Sequence, residues 1–387
     1  MKNLLMVIVV FVSLVLMPSL VSADVGTVNT FWAPDANLKP TVLSLIGSAT
    51  TSVYISSNDL VDADIVGSLC SASTRISSVV AVLNLSGGTA RSIAARSLNM
   101  AGVEVLSSTM TNTIPNHLLI VDGGTVGLGN FYWSDSAQQI GSYLSLCTVA
   151  DVIDAANAQF DYLYGNATPW GGDGRVRMIR PKRCPYCPMS GCVGSIPDPQ
   201  VWFSPNGGCE EAIQASLLRA KLTVRAQVYT ATSVGVFQSL IAAHRRGVDV
   251  QVVADRYCSS LPKSQVGSLA AAGVPVYLDS NEKIMHDKTL VIDDEYVFTG
   301  SFNFSEPAEH SNAENLVLFD SPVLASAYSA DWLFHRNHSD GIGVAAGLQF
   351  VPPLPPRGTL NRFSPPTHVR LRWLPRLFHR RGHEGRP

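Results

Sequence analysis

Residues suited to phosphate chemistry are concentrated between positions 286 and 314. In chain order they are His286, Lys288, Asp293, Gly300, Ser301, Asn303, Asn312 and Glu314. Cleavage of a phosphodiester needs a nucleophile at phosphorus, fixed donors for the non-bridging oxygens and an acid for the leaving oxygen. An imidazole can be the nucleophile, and ammonium and amide groups can be the donors. The segment therefore predicts phosphodiester chemistry.

The elements that must position these residues alternate between strand and helix. In the second half of the chain, the periodicity predicts helices over 236–246 and 264–272 and strands over 222–229, 248–254, 274–277, 288–292 and 296–299. Because side chains alternate along a strand, His286 and Lys288 are expected to share one face while Asp287 points away. The predicted fold class is α/β, with mixed sheets flanked by helices.

The chain is also predicted to be a tandem repeat whose two copies align without gaps. Pro34 corresponds to Pro205, Asp122 to Asp293 and Gly129 to Gly300, always in the same register. Chance similarity would not keep one register over such a distance. Two similar domains, residues 24–168 and 200–345, are therefore expected to face each other as a pseudo-dimer.

Three segments lie outside the repeat. Residues 1–23 have the pattern of a secretory signal peptide, which predicts a secreted, lumenal or periplasmic protein. Residues 169–199 form a Cys/Pro/Gly-rich linker, and residues 346–387 form a basic Pro/Arg-rich tail that is predicted to be disordered. The formal net charge of −2 gives no global attraction to nucleic acid or anionic membrane, so phosphate recognition must be local.

Four of the seven cysteines fall close together, at Cys184, Cys187, Cys192 and Cys209. An oxidising compartment favours disulfide bonds within this group. The alternative is a zinc site, because Cys184 and Cys187 have the spacing of one half of such a site. The secretory signal favours the disulfides.

The full pattern resembles the signature of the phospholipase D superfamily, His-x-Lys-x4-Asp-x6-Gly-Ser-x-Asn-x8-Asn-x-Glu, with every specified residue and spacing present. The stretch from Val201 to Leu316 is especially similar to the small bacterial Nuc-type endonucleases of that superfamily. The first half resembles the family only through the repeat. We expect two tandem domains of this fold, with one complete motif in the second.

The resemblance implies a role for each motif residue and no metal or cofactor. His286 would form a phosphohistidine and Glu314 would orient its imidazole. Lys288 and Asn303 would hold the phosphoryl oxygens, with Ser301 lining the same pocket. The remaining motif residues would support the structure, and they are Asp293, Gly300 and Asn312.

The first copy has lost this motif. In the repeat register, Pro115 occupies the position of His286, His117 that of Lys288, Asn130 that of Ser301, Tyr132 that of Asn303 and Tyr143 that of Glu314. Family members use a second histidine to protonate the leaving group and to activate water, so this loss puts turnover in question.

Three hypotheses follow from the loss. His117 acts as a substitute general acid, since an imidazole suits proton transfer near neutral pH. Alternatively, two chains pair through their second halves to complete a site, although the repeat favours a monomer whose own first domain fills that surface. Finally, the protein binds phosphodiesters without turnover.

The motif specifies a phosphodiester but not its substituents. Nucleic acid is the first expectation, because Arg245-Arg246 and eight arginines in the tail would attract phosphates. Phospholipid is the alternative, supported by the secretory signal and by aromatic residues such as Trp202, Phe203 and Tyr229, and it would bring membrane-surface contact. A catalytically impaired binding protein for nucleic acid or phospholipid is the third reading.

Overall fold

The structure is a computed structural model, and it describes residues 26–33, 38–86, 88–108, 113–134, 141–170, 200–280 and 284–342. The predicted signal peptide, most of the linker and the tail lie outside these residues. None of the described helices is long and apolar enough to span a membrane.

The described residues contain sixteen strands and ten helices. The strands are β1 (Val28–Ala33), β2 (Ser52–Ser57), β3 (Ser78–Leu83), β4 (Glu104–Ser108), β5 (Leu118–Val121), β6 (Thr125–Gly129), β7 (Ser142–Cys147), β8 (Ala167–Pro169), β9 (Gln200–Phe203), β10 (Thr223–Val228), β11 (Asp249–Asp255), β12 (Val276–Asp279), β13 (Lys288–Ile292), β14 (Tyr296–Gly300), β15 (Asn315–Asp320) and β16 (Asp340–Ile342). The helices are α1 (Leu38–Ser48), α2 (Ala63–Ser73), α3 (Thr89–Met100), α4 (Ala150–Gly165), α5 (Cys209–Arg219), α6 (Val234–Arg245), α7 (Arg256–Ser259), α8 (Val266–Ala271), α9 (Glu306–His310) and α10 (Pro322–Asn337).

The strands form two eight-stranded mixed sheets with the same internal order. One sheet runs β1-β7-β6-β5-β2-β3-β4-β8, and the other, read from its opposite edge, runs β9-β15-β14-β13-β10-β11-β12-β16. In each sheet one central strand is parallel to one neighbour and antiparallel to the other. Strand β10 is parallel to β11 and antiparallel to β13, and β2 is parallel to β3 and antiparallel to β5. The predicted α/β class with helices flanking mixed sheets is confirmed, and we call the halves that contain these sheets the first and second units.

Two framework positions are built alike in both units. The Asp122 carboxylate accepts hydrogen bonds from the backbone N–H groups of residues 50, 51 and 52, and the Asp293 carboxylate accepts them from residues 221, 222 and 223. Both aspartates have positive φ angles, 52° and 55°. Each thus ties the turn after a central strand to the start of a neighbouring strand.

Gly129 and Gly300, the last residues of β6 and β14, are required by close packing. A Cβ added to Gly300, whose φ is 137°, would lie 2.3 Å from the carbonyl oxygen of Asn315, and one added to Gly129 would lie 2.6 Å from that of Tyr143. Any side chain would force β14 or β6 away from its neighbour. This explains why both copies keep glycine where the chemistry-bearing residues differ.

The cysteine prediction falls mostly outside the described residues. Cys184, Cys187 and Cys192 all lie in the undescribed stretch, whereas Cys209 is buried at the start of α5. Cys70, Cys147 and Cys258 are free thiols. The disulfide pairing therefore stays a prediction.

Candidate active site

His286 lies where the two units meet, immediately before β13. Its backbone N–H donates to the Gly141 carbonyl of the first unit at 2.7 Å, and Gly141 in turn donates to the Ile284 carbonyl at 2.8 Å. These bonds hold the segment before the strand against the first unit. His286 is almost completely buried, with 4% of its surface exposed.

The ring nitrogens of His286 have different partners, and this fixes the tautomer. Nδ1 lies 3.1 Å from the carbonyl oxygen of Asn130. A carbonyl oxygen only accepts, so Nδ1 carries the proton and Nε2 keeps its lone pair. The Tyr132 hydroxyl lies 3.0 Å from Nε2 and donates to it. Nε2 is therefore the ring nitrogen with the available lone pair, and it contacts a phenol from the first unit.

The surroundings of His286 also keep it neutral. Burial, and next the charge of Lys288, place its pKa well below the ordinary value for histidine. The rings of Tyr132 and Tyr229 flank it, with centroids 4.5 and 4.6 Å away. A neutral imidazole with a defined tautomer is the form required for attack on phosphorus.

Lys288 begins β13 on the same side of the strand as His286. Its Nζ donates to the His286 carbonyl at 2.6 Å and lies 4.9 Å from the centre of the Tyr229 ring. Burial lowers the pKa of Lys288 to about 7, against the opposing influence of the Glu314 and Asp287 carboxylates. This cation is therefore poised to hold an anion at neutral pH and below.

The amide and carboxyl groups of the motif have unsatisfied polar atoms. Oε1 of Glu314 accepts from the Asn312 amide at 3.1 Å, but Oε2 of Glu314 and Oδ1 of Asn303 are buried without hydrogen-bond partners among the described residues. The Ser301 hydroxyl accepts from the Asn315 backbone N–H at 3.0 Å, and it is one of the groups that oppose the rise in the pKa of Glu314. Buried polar atoms without a partner need an explanation, and a bound ligand or water would supply one here.

The structure places Glu314 differently from the role implied by the family resemblance. Among the described residues, Glu314 makes no hydrogen bond to His286, because both ring nitrogens are taken by Asn130 and Tyr132. Glu314 is fully buried, and burial raises its pKa to about 7, although Ser301, Asn312 and Lys288 oppose the shift. Its chemistry is that of a carboxyl that exchanges a proton near neutral pH.

His117, which occupies the first-unit position of Lys288, also reaches the site. It stacks edge-on against Tyr132, with 5.1 Å between ring centroids, and its Nδ1 is buried without a partner among the described residues. Burial, followed by the charge of Lys288, lowers the pKa of His117 to about 3. Such an imidazole is neutral at pH 7, which makes it a poor proton donor.

A second layer of charged residues lies behind β13, on the side of α10. Nδ1 of His335 lies 2.6 Å from the Asp279 carboxylate, and Nε2 lies 3.3 Å from that of Asp287. Together with His338 and Asp331, these residues have ligand types and spacings that suit a metal ion. They are separated from the face of β13 that carries Lys288, so they brace the strand rather than contact the same anion.

Two first-unit residues, Asn130 and Tyr143, also contact the intact motif. The Asn130 side-chain amide donates to the His286 carbonyl at 2.6 Å. The Tyr143 hydroxyl accepts from the Gly300 N–H at 2.7 Å and donates to the Gly300 carbonyl at 2.8 Å. Both stand at motif positions of the degenerate copy. The repeat register identified these positions, but not that their replacements turn toward the intact motif.

Comparison with known proteins agrees with this geometry. A family model described as "Cardiolipin synthase, PLD-like domain" matches residues 213–333. A phospholipase D of Rickettsia typhi is 34% identical over 140 residues, which make up 36% of this chain and 68% of that protein. The chain therefore belongs to the phospholipase D superfamily, and its second unit carries the phosphodiesterase motif of that family.

Two solved structures extend the comparison. A phosphatidylserine synthase of Haemophilus influenzae superposes with a TM-score of 0.63 over 82% of this chain and 87% of that one, at 12% identity. This likeness concerns the fold, and it includes both units. Nuc of Salmonella typhimurium is 34% identical and matches 38% of this chain and 98% of its own, with a TM-score of 0.36.

Proposed function

We propose that this chain is a metal-independent phosphodiesterase that hydrolyses the head-group ester of phospholipids through a covalent intermediate on His286. The observation that carries the proposal is the state of His286: a neutral, buried imidazole whose Nδ1 proton is held by a backbone carbonyl. Nε2 is thereby left as the nucleophile.

The first half-reaction follows from the positions of the neighbouring donors. Nε2 attacks phosphorus, and the bond from phosphorus to the head-group oxygen breaks with its electron pair passing to that oxygen. The Lys288 ammonium and the Asn303 amide would stabilise the negative charge on the non-bridging oxygens. The Tyr132 hydroxyl, which now donates to Nε2, would turn to a phosphoryl oxygen. In the second half-reaction, water attacks the phosphohistidine and returns the electron pair to Nε2.

The surroundings of the site favour a lipid over a nucleic acid. Helix α7 lies beside the site, because Asp255, which caps it, accepts from the Met285 backbone N–H at 3.1 Å, next to His286. Tyr257 on that helix is 72% exposed, and nearby Leu261 is 39% exposed. Exposed apolar residues beside a buried polar site suit contact with a lipid surface. The names of the matching family model and of the Rickettsia relative refer to phospholipid chemistry.

Three of the described arginines make contacts within the fold. Arg225 pairs with Asp249, Arg256 with Asp340, and Arg246 donates to the Leu217 carbonyl. Nucleic acid remains the second candidate, because eight arginines of the tail would bind phosphates in a salt-dependent way.

The test is to incubate the purified protein with phosphatidylcholine and cardiolipin in mixed micelles, with single-stranded DNA and with RNA, all in excess EDTA. The matched variants are His286→Asn and Pro115→Ala, which alter the same repeat position in the intact and the degenerate copy. We expect lipid hydrolysis by the wild type and Pro115→Ala, and a loss of at least about 10⁴-fold in His286→Asn.

Other outcomes have definite meanings. Cleavage of DNA or RNA alone would replace the lipid proposal with the nuclease one. Activity that survives in His286→Asn would rule out the covalent mechanism. A folded wild type that cleaves none of these substrates would favour a binding protein without turnover.

A further inference from the structure

The proposed reaction needs a group that gives a proton to the leaving oxygen and then takes one from water. The second histidine that does this in the family is replaced by Pro115 in the first unit. The remaining titratable side chains described around His286 include His117, Tyr132, Lys288 and Glu314. The contacts of these four side chains differ, and the differences indicate which of them can transfer the proton.

Glu314 is the carboxyl that lies against the missing histidine's position. On one side of it, the Ala313 carbonyl accepts from the Asn116 backbone N–H at 2.9 Å. On the other side, the Asn315 amide donates to the Asn116 side-chain oxygen at 2.6 Å. Since Asn116 directly follows Pro115, these bonds fix Glu314 beside the segment where the histidine would stand.

The opposite half of the site shows the reciprocal arrangement. Tyr143 occupies the first-unit position equivalent to Glu314, and its hydroxyl contacts the Gly300 backbone and lies 3.5 Å from the Lys288 carbonyl. Each unit therefore sends this residue across to the motif segment of the other. Glu314 crosses to the segment that has lost its histidine, and its Oε2 has no hydrogen-bond partner among the described residues.

We infer that Glu314 is the proton-transfer residue of this site and takes over the work of the lost second histidine. In the first half-reaction the Oε2 proton passes to the leaving oxygen as the bond to phosphorus breaks. In the second, the Glu314 carboxylate takes a proton from the attacking water while the bond between Nε2 and phosphorus breaks. This inference rests on the proposed function, and it gives Glu314 a direct role in place of the orienting one.

The alternatives fit the contacts less well. Tyr132 already donates to Nε2, the nucleophile, and its pKa is raised to about 12 by burial, then by Glu314 and other acids. His117 is neutral at pH 7, with a pKa lowered to about 3 by burial and by Lys288. Burial, by contrast, raises the pKa of Glu314 to about 7, so both of its protonation states are accessible at neutral pH.

The experiment compares two leaving groups in Glu314→Gln, which preserves size and hydrogen bonding but cannot exchange a proton. Bis(p-nitrophenyl) phosphate releases a stable phenolate that needs no acid, whereas phosphatidylcholine releases an alkoxide that does. We expect Glu314→Gln to keep the wild-type p-nitrophenolate burst within about threefold. The phosphohistidine should then accumulate, visible by mass spectrometry after rapid quenching, because water is no longer activated. Choline release should fall by about 10²–10⁴-fold.

Two further variants separate this role from a purely structural one. Glu314→Ala should regain choline release when formate is added, because the small acid can enter the vacated space. His117→Asn should keep the ratio of rates on the two substrates close to that of the wild type. In the wild type, choline release should decline above about pH 7, as Glu314 and Lys288 lose their protons.

Several results would overturn the inference. One is an equal loss of the burst on both substrates in Glu314→Gln, which would make Glu314 a positioning residue. Another is unchanged choline release in Glu314→Gln. A third is a His117→Asn variant that keeps the p-nitrophenolate burst but loses choline release. If the wild type produces no burst and no choline, the proposed function fails first, and the inference fails with it.

Discussion

The two units share a framework but differ in nearly every residue that faces the common site. Both have the same strand order, the same turn aspartate and the same close-packed glycine. In the first unit, proline and tyrosines replace the histidine, asparagine and glutamate of the second. Positions that the backbone geometry requires are therefore the same in both copies, while those that chemistry alone requires have diverged.

The first unit has lost the motif, but it still contacts the motif residues of the second unit. The first unit fixes the tautomer of His286 through the Asn130 carbonyl and contacts its Nε2 through Tyr132. Its segment beside Asn116 holds Glu314 in place. The degenerate copy thus supplies several contacts to a site whose motif residues come from the other copy.

The largest effect within this comparison is expected at the paired positions 288 and 117. Lys288→Met should lower kcat by about 10²–10³-fold, because it removes a fixed cation for the phosphoryl oxygens. It should also leave the melting temperature at or above that of the wild type, since a buried cation whose pKa is lowered to about 7 opposes folding. Steady-state kinetics and thermal unfolding check both parts.

His117→Asn is the matched change in the first unit, and it should lower kcat less than Lys288→Met. A larger loss in His117→Asn would mean that the first unit, not the second, provides the main phosphate contact.

The next largest effect is expected in stability, at the shared turn. Asp122→Asn and Asp293→Asn should each lower the free energy of unfolding by about 1–3 kcal/mol, because each carboxylate accepts several backbone N–H bonds. Urea denaturation measures this. A lower free energy of unfolding in only one of the two variants would show that the two turns are not equivalent.

The pH dependence of Asp122 gives a further check on the same change. Burial would raise its pKa, but the backbone donors outweigh burial and hold it well below the usual range. A carboxyl with a depressed pKa stabilises the fold above its unfolded pKa of about 4 and loses this effect as the pH falls. The stability gap between wild type and Asp122→Asn should therefore narrow below about pH 4.

The smallest effect is expected at Tyr132, where the first unit contacts Nε2 of His286. Tyr132→Phe removes the donor at Nε2 of His286 and should lower kcat by about tenfold, with little change in KM, if the hydroxyl serves the transition state. Tyr132→Asn restores the residue type found at Asn303 and should retain more activity than the phenylalanine. Equal activity in Tyr132→Phe and the wild type would limit the hydroxyl to a packing role.

Much of the second unit could be predicted from its sequence pattern. The expected strand at 288–292 coincides with β13, and the strand expected at 296–299 is β14 extended by one residue. The helix expected at 236–246 begins two residues earlier, because Ser233 caps it by accepting from the Val236 N–H. These elements have strong periodicity and clear end signals, which are local properties of the chain.

The sequence by itself determined the motif from His286 to Glu314 and the register between the two copies, because each depends on residue type at fixed spacing. Only the tertiary structure decided that Asn130 and Tyr132 take both nitrogens of His286, and that Glu314 faces the other unit instead. These contacts join residues more than 150 positions apart, and no spacing rule reaches so far. The pKa values of Lys288, His117 and Glu314 are also decided by the tertiary structure, because burial is the largest cause of each shift.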